Sequence, residues 1–299
     1  MKSTPSLLTG IVLTVLAGSI FSSQDALGKH LTTLIPVVQV IWGRYFFQTL
    51  IMTTYLSATT GTRFLKARHP YLQVARGAML LAATTTMYFA LSRVPLADAT
   101  AVMFFGPIVV TILSVVVLKE TIGIHRIAAV IAGFLGMLLI LRPGFADIDP
   151  ALFLALAASV FNAGYLMLTR HLSGEADAAA TQFNTTATGA VLLTIFVIPF
   201  WQWPDLPTLG LMVAIGTVGS LGHFTLVNAF SNAPASLLSP FLYAQVLMAS
   251  LLSVALFGDP LKPTMLVGTA ILVASGLYIW WRENRSFAAA ARSDLTKAG

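Results

Sequence analysis

An arginine in the middle of an apolar run is the first residue here that demands a chemical explanation: Arg44 stands in VVQVIWGRYFFQTLIM, well inside a stretch long enough to cross a bilayer. Charge at membrane depth costs a few kcal/mol even on mild insertion scales, so such a group has a partner or a function. Two roles fit Arg44. Its guanidinium pairs with an acid or with freed helix carbonyls, or it receives an anionic substrate group such as a carboxylate or phosphate. Asp25 and Lys29, in the preceding apolar run, are four residues apart on one helical face and are placed to neutralise each other. The alternatives for Asp25 are a pairing with Arg44 or proton coupling. His223, within GSLGHFTLVNAF, is a second proton-coupling candidate, and equally a substrate contact or a hydrogen-bonding link between helices.

Uncharged polar and aromatic residues complete the candidate set. Asn162 and Tyr165 are three apart on one helical face, and Gln24 sits beside Asp25. Asn228, Tyr243 and Gln245 are further hydrogen-bonding groups inside apolar runs. Tyr88 and Phe104 add ring faces, and Phe104 and Tyr243 lie near Pro107 and Pro240, where a helix kinks and frees carbonyls. The expected substrate-binding residues are therefore Gln24, Arg44, Tyr88, Phe104, Asn162, Tyr165, His223, Asn228, Tyr243 and Gln245. Most of the five Trp residues lie near the ends of apolar runs as an interfacial belt, Trp42 being the exception that could reach a cavity. Asp98 suits a helix N-terminus, and Glu120 and Asp259 close apolar runs as interfacial residues.

Other chemistries lack their residues. There is no cysteine, which excludes disulfides, thiolate metal sites and cysteine nucleophiles. His223 has no carboxylate or second histidine nearby in sequence, so no metal site is expected. The Gly-rich segments lack the lysine-terminated spacing of a phosphate loop, so no nucleotide or other cofactor is expected. Small-residue runs at 17–19, 77–83, 132–136 and 216–222 suit close helix approach instead. No catalytic constellation of paired acids, or of a histidine with a carboxylate, falls within one run, so an intramembrane enzyme is the weaker reading.

What positions these residues is a bilayer. The chain is 57% hydrophobic and 9% charged, against roughly 45–50% and ~25% in soluble domains. At ~20 residues per crossing, ten segments qualify: about 7–28, 34–57, 72–92, 96–118, 124–142, 151–170, 179–201, 207–230, 235–257 and 264–281. The first reads as a retained helix, not a cleaved signal. With the N-terminus inside, twelve Lys and Arg (Lys2, Arg63, Lys66, Arg68, Arg76, Lys119, Arg126, Arg170, Arg282, Arg285, Arg292, Lys297) fall on one side and four (Lys29, Arg93, Arg142, Lys262) on the other. That asymmetry places both termini in the cytoplasm. The net charge of +6 therefore marks topology, and no nucleic-acid partner is expected.

An internal repeat organises the segments. At an offset of 139 to 141 residues, LGKHL meets LTRHL, ALSRVPLADAT meets AFSNAPASLLS, and LSVVVLKETI meets LSVALFGDPL. Phe21 and Gln24 fall on Asn162 and Tyr165, and Phe104 falls on Tyr243. Five crossings per copy turn the second copy over, an architecture typical of secondary transporters. The expected units are 1–142, 150–282 and a helical tail at 283–299.

The segments SSQDALGKHL with Arg44 after it, VPLADATAVMFFGPIVVTILSVVVLKETI and IAGFLGMLLILRPG, with their degraded echoes in the second half, resemble the EamA family of the drug/metabolite transporter superfamily. The resemblance implies an all-α membrane fold of ten helices in two inverted five-helix repeats around a central cavity. It also implies movement of small metabolites such as amino acids, vitamins or nucleotide-derived compounds across the cell inner membrane, in either direction. The second half has no counterpart of Arg44. The expected partners are a small-molecule substrate and the lipid bilayer, with the chain a monomer or homodimer.

Overall fold

The computed structural model describes residues 7–65, 69–118, 123–141, 149–172, 178–233 and 235–297. Among them every regular element is helical: α1 Leu7–Leu31, α2 Val37–Thr60, α3 Pro70–Leu91, α4 Leu96–Met103, α5 Gly106–Leu118, α6 Ile124–Leu141, α7 Ala151–His171, α8 Ala178–Phe196, α9 Leu206–Asn232, α10 Ala235–Leu238, α11 Ala244–Phe257 and α12 Pro263–Lys297. Glu120, Arg142, Pro234, Lys66 and Arg68 lie outside the described residues. Helix α12 runs unbroken from Pro263 to Lys297.

Seven helical stretches among the described residues are long and apolar enough to cross a bilayer, with Ile127–Ile140 a shorter apolar one. Helices α2 and α8 have the length but also carry polar groups: Gln39, Arg44 and Gln48 in one, Gln182, Asn184 and a run of threonines in the other. These two pack on each other, and α2 also on α9 and α8 on α3, while Asn184 and most threonines of α8 donate to carbonyls of their own helix. Lipid-facing apolar residues are correspondingly numerous, as Val12, Leu50, Val191 and Leu251 show by their exposure.

Packing repeats in pattern between the halves. Helix α1 lies along α9 and touches α11, while its counterpart α7 lies along α3 and touches α4 and α5. Helix α6 pairs with α12, each the last helix of its half. There the backbones meet: a Cβ on Gly268 would stand 2.6 Å from the Gly136 carbonyl oxygen, and one on Gly136 2.8 Å from that of Gly268. Any side chain at either position would force the pair apart.

Two segments are discontinuous at positions one repeat apart. Helix α4 ends at Met103, a turn at Phe104–Phe105 follows, and α5 restarts at Gly106 with Pro107 next, where proline's missing N–H costs nothing. In the second half a 3-10 turn over Ser239–Tyr243, containing Pro240, separates α10 from α11. Caps fix the other ends. The Asp205 carboxylate accepts from the Thr208 backbone N–H at 2.9 Å, and hydrogen bonding from Thr208 holds its carboxyl below the usual range. Gly258, at φ 65°, closes α11. The loop before α9 is clipped to α2 twice: Gln39 Nε2 donates to the Gln202 carbonyl at 2.7 Å, and the Gln202 N–H donates to Gln39 Oε1 at 2.9 Å.

Candidate functional site

Arg44 projects from α2 between α1 and α3. Its Nη1 donates to the Tyr88 hydroxyl at 3.0 Å and lies 3.8 Å from Asp25 Oδ1, and its guanidinium carbon is 5.4 Å from the centre of the Tyr88 ring. The Arg44 and Asp25 side chains are 13% and 14% exposed, deep in the bundle but not sealed. Tyr88 is wholly buried, its ring lying over Gly28 of α1 where any Cβ would collide with it. Gly28 thus lets Tyr88 reach Arg44. One turn away, Tyr45 shares a 3.0 Å hydrogen bond with Thr84.

The expected Asp25–Lys29 pair does not form. Lys29 turns to the end of α3, where its ammonium donates to the carbonyls of Val94 at 2.5 Å and Leu91 at 3.2 Å and lies 5.3 Å from the Phe257 ring centre. The physical reason is the partner on offer: carbonyls at a helix C-terminus carry unsatisfied negative charge that a cation caps well. Asp25 is left facing Arg44, the alternative named for it.

The other candidates distribute as follows. Gln24 is 1% exposed and donates from Nε2 to the Ile215 carbonyl of α9 at 3.1 Å, lodged over Gly219, whose missing side chain makes the room. Tyr165, its repeat mate, receives a 3.1 Å hydrogen bond from Arg76 Nη2. Phe104 and Tyr243, at the two helix breaks, meet ring to ring at 5.3 Å. His223 packs edge-on against Phe21 at 5.0 Å. Asn162 is half-buried, its Nδ2 3.9 Å from the Cβ position of Gly106 where α5 restarts. Gln245 lends its backbone carbonyl to the Ser22 hydroxyl at 2.7 Å, joining α1 to α11. Asn228 donates to the Phe224 carbonyl of its own helix at 2.9 Å. The Trp42 indole N–H donates to Thr194 of α8 at 3.0 Å and its ring packs on Phe46 and Trp201.

The sequence reasoning missed Arg76, counted above among loop cations. It is 2% exposed, six residues inside α3, donating to Thr169 Oγ1 at 2.7 Å, Gln73 Oε1 at 3.2 Å and the Thr181 carbonyl at 3.3 Å as well as to Tyr165. The signal was present, because 72–92 was already drawn as a span and Gln73 and Arg76 share one face of it. Gln48 was missed too: it is 2% exposed, its Oε1 lies 3.2 Å from the Cβ position of Gly219, and its Nε2 has no partner among the described residues. No group of three or more metal-ligating residues exists among the described residues.

A multi-span helical bundle of two like halves, holding buried charge on the wall between them, has the build of a membrane transporter. The chain belongs to the EamA-like transporter family, which matches residues 8–142 and 149–281. It is similar to an S-adenosylmethionine uptake transporter of Rickettsia prowazekii, 27% identical over 93% of this chain and 95% of that protein. A riboflavin transporter of Vibrio cholerae is 24% identical over 93% of this chain and 95% of its own length, and the pseudopaline exporter CntI of Pseudomonas aeruginosa 29% over 78% and 82%. One crystal structure superposes with a TM-score of 0.63 at 18% identity, covering 95% of this chain and 99% of that one, which shows the shared fold. The chain is accordingly a multi-pass membrane transporter and not an enzyme.

Proposed function

We propose that this chain is a secondary carrier of ten membrane-crossing segments, moving a small organic metabolite with an anionic or zwitterionic group across the inner membrane by alternating access. The observation that carries the reading is the Asp25–Arg44–Tyr88 cluster, a buried and incompletely satisfied charge pair between α1 and α2, the latter packed on its repeat mate α8. In this reading α4 with α5, and α10 with α11, are single broken crossings already among the seven apolar stretches, and α2, α6 and α8 raise these to ten. The units run over 1–142 and 150–282, the second inverted, and 283–299 prolongs the last helix into the cytoplasm. The exchange of packing partners between halves supports inversion, since a pseudo-two-fold maps the α1–α9 contact onto α7–α3. Removing buried Arg76 from the loop charges leaves eleven against four, which still favours both termini inside.

Arg44 takes the anionic group of the cargo, and Phe104 and Tyr243 offer it ring faces. Similarity to S-adenosylmethionine uptake transporters supports a cargo that joins an amino-acid group to a planar one. A riboflavin-like cargo is the second reading, favoured by the Phe104–Tyr243 ring pair and by the riboflavin-transporting relatives. The test is uptake and counterflow in proteoliposomes against a panel of amino acids, S-adenosylmethionine and riboflavin, with and without a pH gradient. Accumulation of one panel compound above protein-free vesicles is expected. Movement of none by well-folded protein would refute the reading.

A further inference from the structure

Buried ion pairs in membrane proteins ordinarily close up and spend their hydrogen bonds on each other, because an unspent donor or acceptor at that depth is costly. The pair at Asp25 and Arg44 does neither. Its closest approach, 3.8 Å between Nη1 and Oδ1, is too long for a hydrogen bond. Arg44 spends one N–H on the Tyr88 hydroxyl, and no other acceptor for it, nor any donor to the Asp25 carboxylate, is found among the described residues. Both side chains keep some exposure. Lys29, which would have satisfied Asp25 from one turn away, is held at the end of α3 by two carbonyls. Tyr88 fixes the guanidinium on one side, and Gly28 fixes Tyr88. The result is a guanidinium held by Tyr88 and a carboxylate beside it, with unspent capacity on both.

Resting on the transporter reading above, we propose that Asp25 and Arg44 together clamp a zwitterionic amino-acid head group, Asp25 taking the ammonium and Arg44 the carboxylate. A head group of this kind carries its two charges on neighbouring substituents of one carbon. It presents an N–H fan to the carboxylate and a two-oxygen edge to the guanidinium, which is the complement of what the pair leaves unspent. Asp25 is then the residue that sets specificity. A purely anionic cargo meets repulsion from Asp25, and an uncharged planar cargo leaves both charges desolvated and unpaired, so both are discriminated against.

The test begins with unmodified protein in proteoliposomes loaded for counterflow with labelled S-adenosylmethionine, methionine or riboflavin. Competition follows from the 2-oxo acid and the amine that correspond to methionine without its ammonium or its carboxylate. The clamp predicts that an amino-acid-headed compound is carried and that each truncated competitor inhibits about tenfold or more less well than the intact head group. Asp25→Asn is expected to raise KM for the zwitterion about tenfold or more while leaving inhibition by the 2-oxo acid unchanged or improved, a selectivity that a merely structural ion pair would not show. Equal inhibition by intact and truncated competitors overturns the clamp, and so does a uniform loss toward all ligands in a folded Asp25→Asn protein. Transport of riboflavin alone overturns the clamp while leaving the carrier reading standing. No transport of any compound by folded protein overturns both.

Discussion

Tyr88 is the residue on which the site's geometry turns, since it is the one hydrogen-bond acceptor that Arg44 uses among the described residues. Tyr88→Phe keeps the ring over Gly28 but leaves the guanidinium without its anchor. KM is expected to rise roughly tenfold with little change in melting temperature, from the ~1.5–3 kcal/mol of a hydrogen bond to a charged group. Lys29→Met should do the opposite. It removes a cation from the end of α3, lowering stability by about 1 kcal/mol and leaving substrate affinity as it was. A thermal melt of each variant beside its transport KM separates the two roles. Arg44 was legible in the sequence because charge at mid-span is conspicuous. The choice between partners for Asp25 was not, because helical spacing puts Lys29 within reach but says nothing of the α3 carbonyls that outcompete Asp25 for it.

Helix pairing is where small residues matter most. The α6–α12 crossing leaves no space for a side chain, so Gly268→Val should lower stability by about 1–3 kcal/mol, seen as a lower melting temperature in detergent, without altering discrimination between cargoes. The α3–α7 pairing rests on Arg76, whose donors reach Thr169, Gln73, Thr181 and Tyr165. Arg76→Ala strips a hub that serves α3, α7 and α8 together and is expected to cost about 3 kcal/mol, reducing the folded yield. The small-residue runs pointed to close approach, and Gly136, Gly219 and Gly77 provide it. The sequence could not show which helices approach. Arg76 shows why: a charge within two turns of a helix end looks like an interfacial residue until the neighbouring helix supplies its acceptors.

Over the whole molecule the two halves exchange packing partners, and the Phe104–Tyr243 contact brings repeat-equivalent residues together. The offset of 139 to 141 residues was readable directly from sequence, and so were the prolines at both helix breaks. The face-to-face placement of the two breaks depends on long-range packing that no local pattern encodes. Inversion makes a topological prediction that the cysteine-free chain makes easy to check. A cysteine introduced at exposed Thr62 should react with an impermeant thiol reagent only from the cytoplasmic side, and one at exposed Trp203, its counterpart position in the second half, only from the opposite side. Labelling of both from one side would contradict the inverted arrangement.

A guanidinium held in place at Arg44 is the proposed contact through which this membrane transporter takes its cargo. Uptake by Arg44→Ala in proteoliposomes, at matched folding and reconstitution, addresses it most directly. Initial uptake of the compound carried by the unmodified protein should fall at least about tenfold, as expected when a charge-assisted contact is lost. A folded Arg44→Ala protein that transports at the unmodified rate and KM would contradict it.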